Sequence, residues 1–228
     1  MGTKNQTVNR KPKSKVLLVD DHVILRQGLV RLINHEADLE VCGEAEEGPK
    51  AFELVSKLKP DVAVVDISLK GSNGIELVKN LKARWPDLPT LILSMHDESL
   101  YAERALRAGA RGYIMKEEAT DKMLTAIRKI MKGEIYLSEG MVSRILHRLA
   151  DGKGDVGTPL DRLSDRELEV FQLIGEGLGT RQIAERLSVS VKTIESYRAH
   201  IKDKLELDGS NDVVRQAIQW VQHGGLSS

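Results

Sequence analysis

Neither sign of charge is in excess in this sequence: 34 Lys and Arg stand against 34 Asp and Glu. That balance excludes a uniformly basic chain, the simplest electrostatic signature of nucleic-acid binding, but leaves room for a local basic surface. A second cysteine is also missing. Cys42 alone cannot close an internal disulfide, which fits a reducing compartment, and its setting in LEVCG predicts a buried, unreactive side chain. No stretch reaches the ~20 apolar residues of a membrane span. The opening MGTKNQTVNRKPKSK has no apolar core of the signal-peptide kind. A cytoplasmic protein with no membrane partner is therefore expected, with residues 1–14 as a disordered basic lead-in. No internal repeat is visible.

What is present divides into two halves of different period, and 228 residues favour two domains. VLLVD, LEVCGEA, DVAVVD, TLILS and RGYIM read as strands. Between and after them, ILRQGLVRLI, AFELVSKL, IELVKNLKAR, LYAERALRAG and DKMLTAIRKIM have helical spacing. Such alternation specifies a parallel sheet with helices on both faces, over residues 15–134. A helical and Gly-rich linker follows over 135–159, with no further strand. Residues 160–228 then hold four short helical segments, an all-α domain. Ser164 and Glu167 form a capping box, and Thr180 and Ser190 are candidate caps for the next two helices.

In an open α/β sheet the ligand site lies beyond the carboxyl ends of the strands. Asp20 and Asp21 close the first strand, Asp66 the third and Ser94 the fourth, and Lys116 follows the fifth. Three carboxylates in one crevice repel unless a cation bridges them. With no histidine or thiolate in view, hard oxygen ligands favour Mg²⁺. An aspartate beside the ion can then attack a phosphoryl group.

VLLVDDH, VVDISLKGSNGIEL, LILSMHDE and GYIMK resemble the receiver domain of two-component response regulators. The resemblance implies a flavodoxin-like five-stranded parallel sheet of order 2-1-3-4-5. It implies that Asp66 accepts a phosphoryl group from a histidine kinase. Asp21, Asp66 and the backbone carbonyl of Ser68 would ligate Mg²⁺, and Asp20 would act through water. Ser94 and Lys116 would hold phosphoryl oxygens, and Tyr113 would be a switch aromatic. Ser68 and His96 occupy positions that tune phosphoryl lifetime in the family. One departure is Lys70, in DISLKGSNG, where the family often has proline. Gly71 and Gly74 remain, so the turn is expected to survive, with Lys70 in solvent.

LSDRELEVFQLIGEGLGTRQIAERLSVSVKTIESYRAHIKDKLEL resembles the LuxR-type helix-turn-helix. Joined to a receiver, it resembles the NarL/FixJ class of response regulators. Ile194, Tyr197, Ile201 and Leu205 supply one apolar stripe by i, i+3, i+4 spacing, which frees the opposite face for the major groove. Residues 158–228 carry nine Lys and Arg against eleven Asp and Glu, so any attraction to DNA must be local. Lys192 to Lys204 holds four basic residues against two acidic. The resemblance places Lys192, Glu195, Ser196 and Ala199 at bases or groove wall, makes Arg181, Arg198 and Lys202 candidates for phosphate, and leaves Thr193 a further DNA-binding candidate. Glu195 can accept from cytosine N4 or pair with Lys192 or Arg198 on its own helix. In NDVVRQAIQWVQ part of the apolar side must pack on its own domain, and the resemblance implies that the rest pairs with a second copy. Val213, Val214, Ala217 and Trp220 are candidates for that contact, with Trp220 either a core side chain or part of it.

The expected protein is a cytoplasmic transcription regulator. Its partners are a cognate sensor histidine kinase, double-stranded DNA and, when phosphorylated, a second copy. It is not an enzyme beyond accepting a phosphoryl group and losing it slowly. Two rivals stand: a DNA-binding regulator independent of phosphorylation, and an aspartyl-phosphate phosphatase. Such hydrolases place a second aspartate two residues after the nucleophile, where this chain has Ser68.

Overall fold

The computed structural model describes residues 12–150 and 159–222. Most of the basic lead-in, the Gly-rich stretch 151–158 and the tail from residue 223 lie outside the described residues. Among these, the strands are β1 (Ser14–Val19), β2 (Leu39–Ala45), β3 (Val62–Asp66), β4 (Ser68–Leu69), β5 (Ser72–Asn73), β6 (Thr90–Ser94) and β7 (Gly112–Met115). Five form one parallel sheet, β2-β1-β3-β6-β7, which is the expected 2-1-3-4-5 when only its own strands are counted. β4 and β5 are a two-residue antiparallel hairpin.

β3 and β6 are buried along their whole length, because helices cover both faces of the sheet. That is why their sequences are unbroken apolar runs rather than alternating ones. The helices α1 (Val23–Asn34) and α5 (Ala119–Met131) cover the face of Val16, Leu18, Val64 and Leu93. The helices α2 (Gly48–Leu58), α3 (Gly74–Arg84) and α4 (Glu98–Ala108) cover the face of Leu17, Val19, Val65 and Ile92. Each fully buried Val, Leu or Ile contributes roughly 1.5–3 kcal/mol. The sheet centre is thus the rigid support for the polar groups at its carboxyl edge.

Three expectations need correction here. Val16 pairs with Val41 but Leu17 with Gly43, so Cys42 is the extra residue of a bulge. It sits half-buried on the edge strand β2, as do its neighbours Val41 and Gly43, and not in the core, though burial still pushes its thiol pKa up. Ser14 belongs to β1, so the sheet begins one residue earlier. The receiver domain also extends past residue 134. Tyr136 N–H donates to Arg111 O at 2.9 Å and Tyr136 O accepts from Tyr113 N–H at 2.9 Å, closing the free edge of β7. The helix α6 (Glu139–Ala150) then returns beside α4, burying Met141.

The second domain consists of α7 (Asp165–Gly175), α8 (Thr180–Arg186), α9 (Val191–Lys204) and α10 (Ser210–Gln222). Ser164 and Glu167 form the capping box of α7, and Ser190 accepts from Thr193 N–H to cap α9. Thr180 does not cap α8; Gln182 instead accepts the N–H of Gly179 at 2.8 Å. Ile183, Ala184, Leu187, Ile194, Ile201 and Leu205 are buried together, as their spacing predicts.

α10 lies so close to α7 that a Cβ on Gly175 would stand 2.4 Å from Ala217 O. Trp220 packs on Phe171 with ring centroids 5.6 Å apart. Val213, Ala217 and Trp220 are therefore core residues of one domain, with at most 5% exposure. They have no surface left for a second copy; of the four candidates only Val214 stays partly open.

Candidate functional site

The carboxyl edge of the sheet brings the predicted polar residues together. Asp20 and Asp21 follow β1, Asp66 ends β3, Ser94 ends β6 and Lys116 follows β7. Lys116 Nζ lies 2.7 Å from Asp66 Oδ2 and 2.8 Å from Asp20 Oδ2. Burial pushes the Asp66 carboxyl up to about 7, against the pull of Lys116. Burial also raises Asp21. Lys116 is drawn down by burial, but Asp66 and Asp20 outweigh this and leave it above its ordinary value.

Asp20 Oδ2 and Asp21 Oδ1 are buried without a properly directed hydrogen bond, although Lys116 and His22 stand within ion-pair distance of them. Orphaned anionic oxygens of this kind are what a cation would satisfy. Ligand atoms of Asp20, Asp21, His22 and Asp66 all lie within 4.8 Å of one another. His22 corrects the expectation that no histidine is near. Its Nδ1 is 2.9 Å from Asp21 Oδ1, while the side chain is 59% exposed. It can swing away, leaving an oxygen-only ligand set.

The loop after Asp66 keeps its turn without the family proline. Gly71 has φ +67°, where a side chain would be strained, and Lys70 is exposed. Gly74 packs on the backbone of Asp66, since a Cβ there would stand 1.9 Å from Asp66 O. Ser68 N–H donates to Asp66 Oδ1 at 3.3 Å. Ser94 is fully buried and its hydroxyl accepts from His96 N–H at 3.0 Å. Tyr113 is turned inward, 1% exposed, and its hydroxyl donates to His96 O at 2.6 Å.

The polar face of α7 is pressed against this edge of the receiver. Asp165 accepts from Lys79 at 2.6 Å and from Arg104 at 3.2 Å. Arg104 also donates to the carbonyls of Leu160 and Leu163, and Tyr101 OH donates to Gln172 Oε1 at 3.0 Å. Arg166 donates to Ser72 O at 3.3 Å. Glu169 accepts from Ser68 Oγ at 2.7 Å and from Asn73 Nδ2 at 3.1 Å. Sequence reasoning missed Glu169, Asn73, Arg104 and His22. An RELE segment in an amphipathic helix carries no sign of what its polar side will meet.

α9 is arranged in the opposite way. Lys192, Glu195, Ser196 and Ala199 are exposed, as is Arg181 on α8; Thr193, Arg198 and Lys202 are half-exposed. Two hydroxyls are already engaged: Thr193 bonds Ser190 Oγ at 2.7 Å, and Ser196 donates to Lys192 O at 3.1 Å. Among the described residues Glu195 makes no ion pair with Lys192 or Arg198. Docking of α7 leaves this face uncovered.

An acidic crevice at the carboxyl edge of a 2-1-3-4-5 sheet, joined to a four-helix domain with a capped, open helix, defines a response regulator with a helix-turn-helix output domain. Residues 16–128 match the response regulator receiver domain, and residues 161–217 match the bacterial regulatory proteins of the luxR family. The chain belongs to the two-component response regulators that carry a LuxR-type DNA-binding domain. It is 36% identical over 210 residues to the oxygen regulatory protein NreC of Staphylococcus haemolyticus, covering 90% of this chain and 97% of that protein. NreC of Staphylococcus carnosus is 34% identical over the same shares. Among solved structures, RcsB of Salmonella enterica serovar Typhimurium, bound to promoter P1flhDC with the phosphomimetic BeF3-, is similar with TM-score 0.59 and 28% identity. That likeness covers 90% of this chain and 98% of RcsB. A LuxR-family response regulator from Aurantimonas is 32% identical with TM-score 0.57, over 61% of this chain and 99% of that one. No helix among the described residues is long and apolar enough to cross a membrane.

Proposed function

We propose that Asp66 accepts a phosphoryl group from a cognate sensor histidine kinase, and that this controls binding of the chain to double-stranded DNA in the cytoplasm. The observation that carries the reading is the crevice itself. Asp66 is 2% exposed, held by Lys116, and flanked by two orphaned carboxylate oxygens. Asp21, Asp66 and the Ser68 carbonyl would hold Mg²⁺, with Asp20 acting through water. Bound there, the ion supplies the positive charge that lets an anionic carboxylate meet an anionic phosphoryl group.

The chain's own residues do the rest. The Asp66 carboxylate is the nucleophile, and Lys116 and the Ser94 hydroxyl receive the phosphoryl oxygens. Tyr113 follows Ser94 through the His96 backbone that both of them bond. Ser68 in place of a second aspartate leaves no general acid for repeated turnover, so the phosphatase reading is not favoured.

Because the α9 polar face is open beside a docked α7, control need not uncover the reading helix. Phosphorylation instead favours the homodimer, which doubles a small set of phosphate contacts and sets half-site spacing. Val214 and the neighbouring Ile218, both half-exposed on α10, are the apolar contact proposed for it.

The test is Asp66→Asn with a small phosphodonor and Mg²⁺. Wild type should take up one acid- and hydroxylamine-labile phosphoryl group, and the variant none. Labile phosphate on the variant would assign the acceptor elsewhere.

A further inference from the structure

Glu169 is the point where the second domain reaches the phosphoacceptor loops. Its side chain is 1% exposed, and three donors converge on it. Ser68 Oγ reaches Oε1 at 2.7 Å; Asn73 Nδ2 and Arg166 Nη1 reach Oε2 at 3.1 and 2.8 Å. An ionised carboxylate only accepts, so Ser68 spends its single hydroxyl proton on Glu169. The second contact of that hydroxyl, His96 Nε2 at 2.9 Å, must then come from an N–H. The chain of donation runs from His96 Nε2–H through Ser68 Oγ–H to Glu169. An ordinary ion pair of Arg166 with Glu169 within α7 would need neither Ser68 nor Asn73.

The three receiver residues tied in this way frame the acceptor. Ser68 lies two residues after Asp66 and donates its N–H to that carboxylate. His96 lies two residues after Ser94 and bonds both Ser94 and Tyr113 through its backbone. Asn73 caps α3 at Ile75 N–H and precedes Gly74, which packs on Asp66 O. One carboxylate from the DNA-binding domain therefore holds the loops after β3 and β6 together.

We infer that Glu169 is a positioning residue for phosphoryl transfer to Asp66, through which the docked DNA-binding domain resists phosphorylation; this rests on Asp66 being the acceptor. In the transfer, a P–O bond forms to an Asp66 carboxylate oxygen. The P–N bond to the kinase histidine breaks, and its imidazole nitrogen leaves with the electron pair. Ser94 must shift to receive a new oxygen, and Glu169 opposes that shift by fixing Ser68 and, through it, the His96 whose backbone Ser94 bonds. By linkage, docking weakens phosphoryl binding by the same factor that phosphoryl binding weakens docking.

The experiment uses the full chain with Mg²⁺ and beryllofluoride, a phosphoryl mimic whose equilibrium affinity can be measured. Glu169→Gln should bind it roughly fivefold or more tightly than wild type, the lower range of such coupling. Ser68→Ala removes the same bond from the receiver side, leaves the helix-turn-helix untouched, and should tighten binding in the same direction. A metal-free readout is the imidazole ¹⁵N spectrum of His96: Nε2-protonated in wild type, and shifted from that tautomer in both variants. Unchanged affinity in Ser68→Ala, or a wild-type His96 protonated on Nδ1, would overturn the inference. Labile phosphate on Asp66→Asn would instead overturn the acceptor assignment on which it rests.

Discussion

α7 and α9 belong to one small domain, are both amphipathic and both carry mixed charge, yet their polar faces have opposite fates. On α7, Asp165, Arg166, Glu167 and Glu169 are all buried, each with partners. On α9, Lys192, Glu195, Ser196 and Ala199 stay open. The difference lies in what approaches. The receiver covers α7 with complementary Lys79, Arg104 and Ser68, while nothing among the described residues covers the polar face of α9. A polar helix face is thus not evidence of solvent; it is a surface whose occupant is decided elsewhere.

The comparison can be broken most strongly at Asp165. Replacing it with alanine takes the carboxylate from Arg104, which is 14% exposed and keeps only the carbonyls of Leu160 and Leu163 and a distant Asp161, and from Lys79, which is 54% exposed. The loss should be about 2 kcal/mol of domain docking, the scale of a charged hydrogen bond with partial solvent relief. Urea unfolding of the full chain would detect it, and a wild-type midpoint would mean that the receiver does not hold the polar face of α7.

Glu195→Gln probes the open helix. Stability should stay within about 0.5 kcal/mol, as for other exposed sites. Discrimination at one base pair should fall by ~1–3 kcal/mol if the carboxylate reads cytosine. A selection experiment that returns the wild-type operator preference would remove Glu195 from base readout.

The smallest effect joins the two helices. Glu167 at the start of α7 meets Lys204 at the end of α9 at 2.6 Å. Burial raises its pKa, but Lys204 and the Ser164 cap outweigh burial and leave it below its ordinary 4.5. A carboxyl whose folded pKa is depressed contributes stability above its unfolded pKa and loses it as pH falls through the folded one. Glu167→Gln should therefore cost about 0.5–1 kcal/mol at neutral pH, since Lys204 is 40% exposed. The difference from wild type should close below pH 4.5. A gap that persists in acid would place the contribution of Glu167 in a cap geometry that Gln does not reproduce, rather than in the ion pair.

Much of this was legible before any coordinates. Continuous apolar runs at β3 and β6, with helical spacing between them, determined a parallel sheet, because only helices on both faces bury such strands. Strand ends then placed Asp20, Asp21, Asp66, Ser94 and Lys116 on one edge. The capping box at Ser164 and the stripe from Ile194 to Leu205 were likewise local features, readable from spacing alone. What failed depended on distant partners. Cys42 fell on an edge strand whose residues 41–43 are all half-buried, and Tyr136 found the free edge of β7. Trp220, which the sequence left open between core and interface, packs on Phe171.

The sequence by itself determined the two folds and the acidic crevice, since periodicity and strand-end chemistry are properties of neighbouring residues. Tertiary structure alone decided that Glu169, 101 residues from Ser68, would hold its hydroxyl. Long-range polar pairing of this kind leaves no period in a chain, because it depends only on which two surfaces meet.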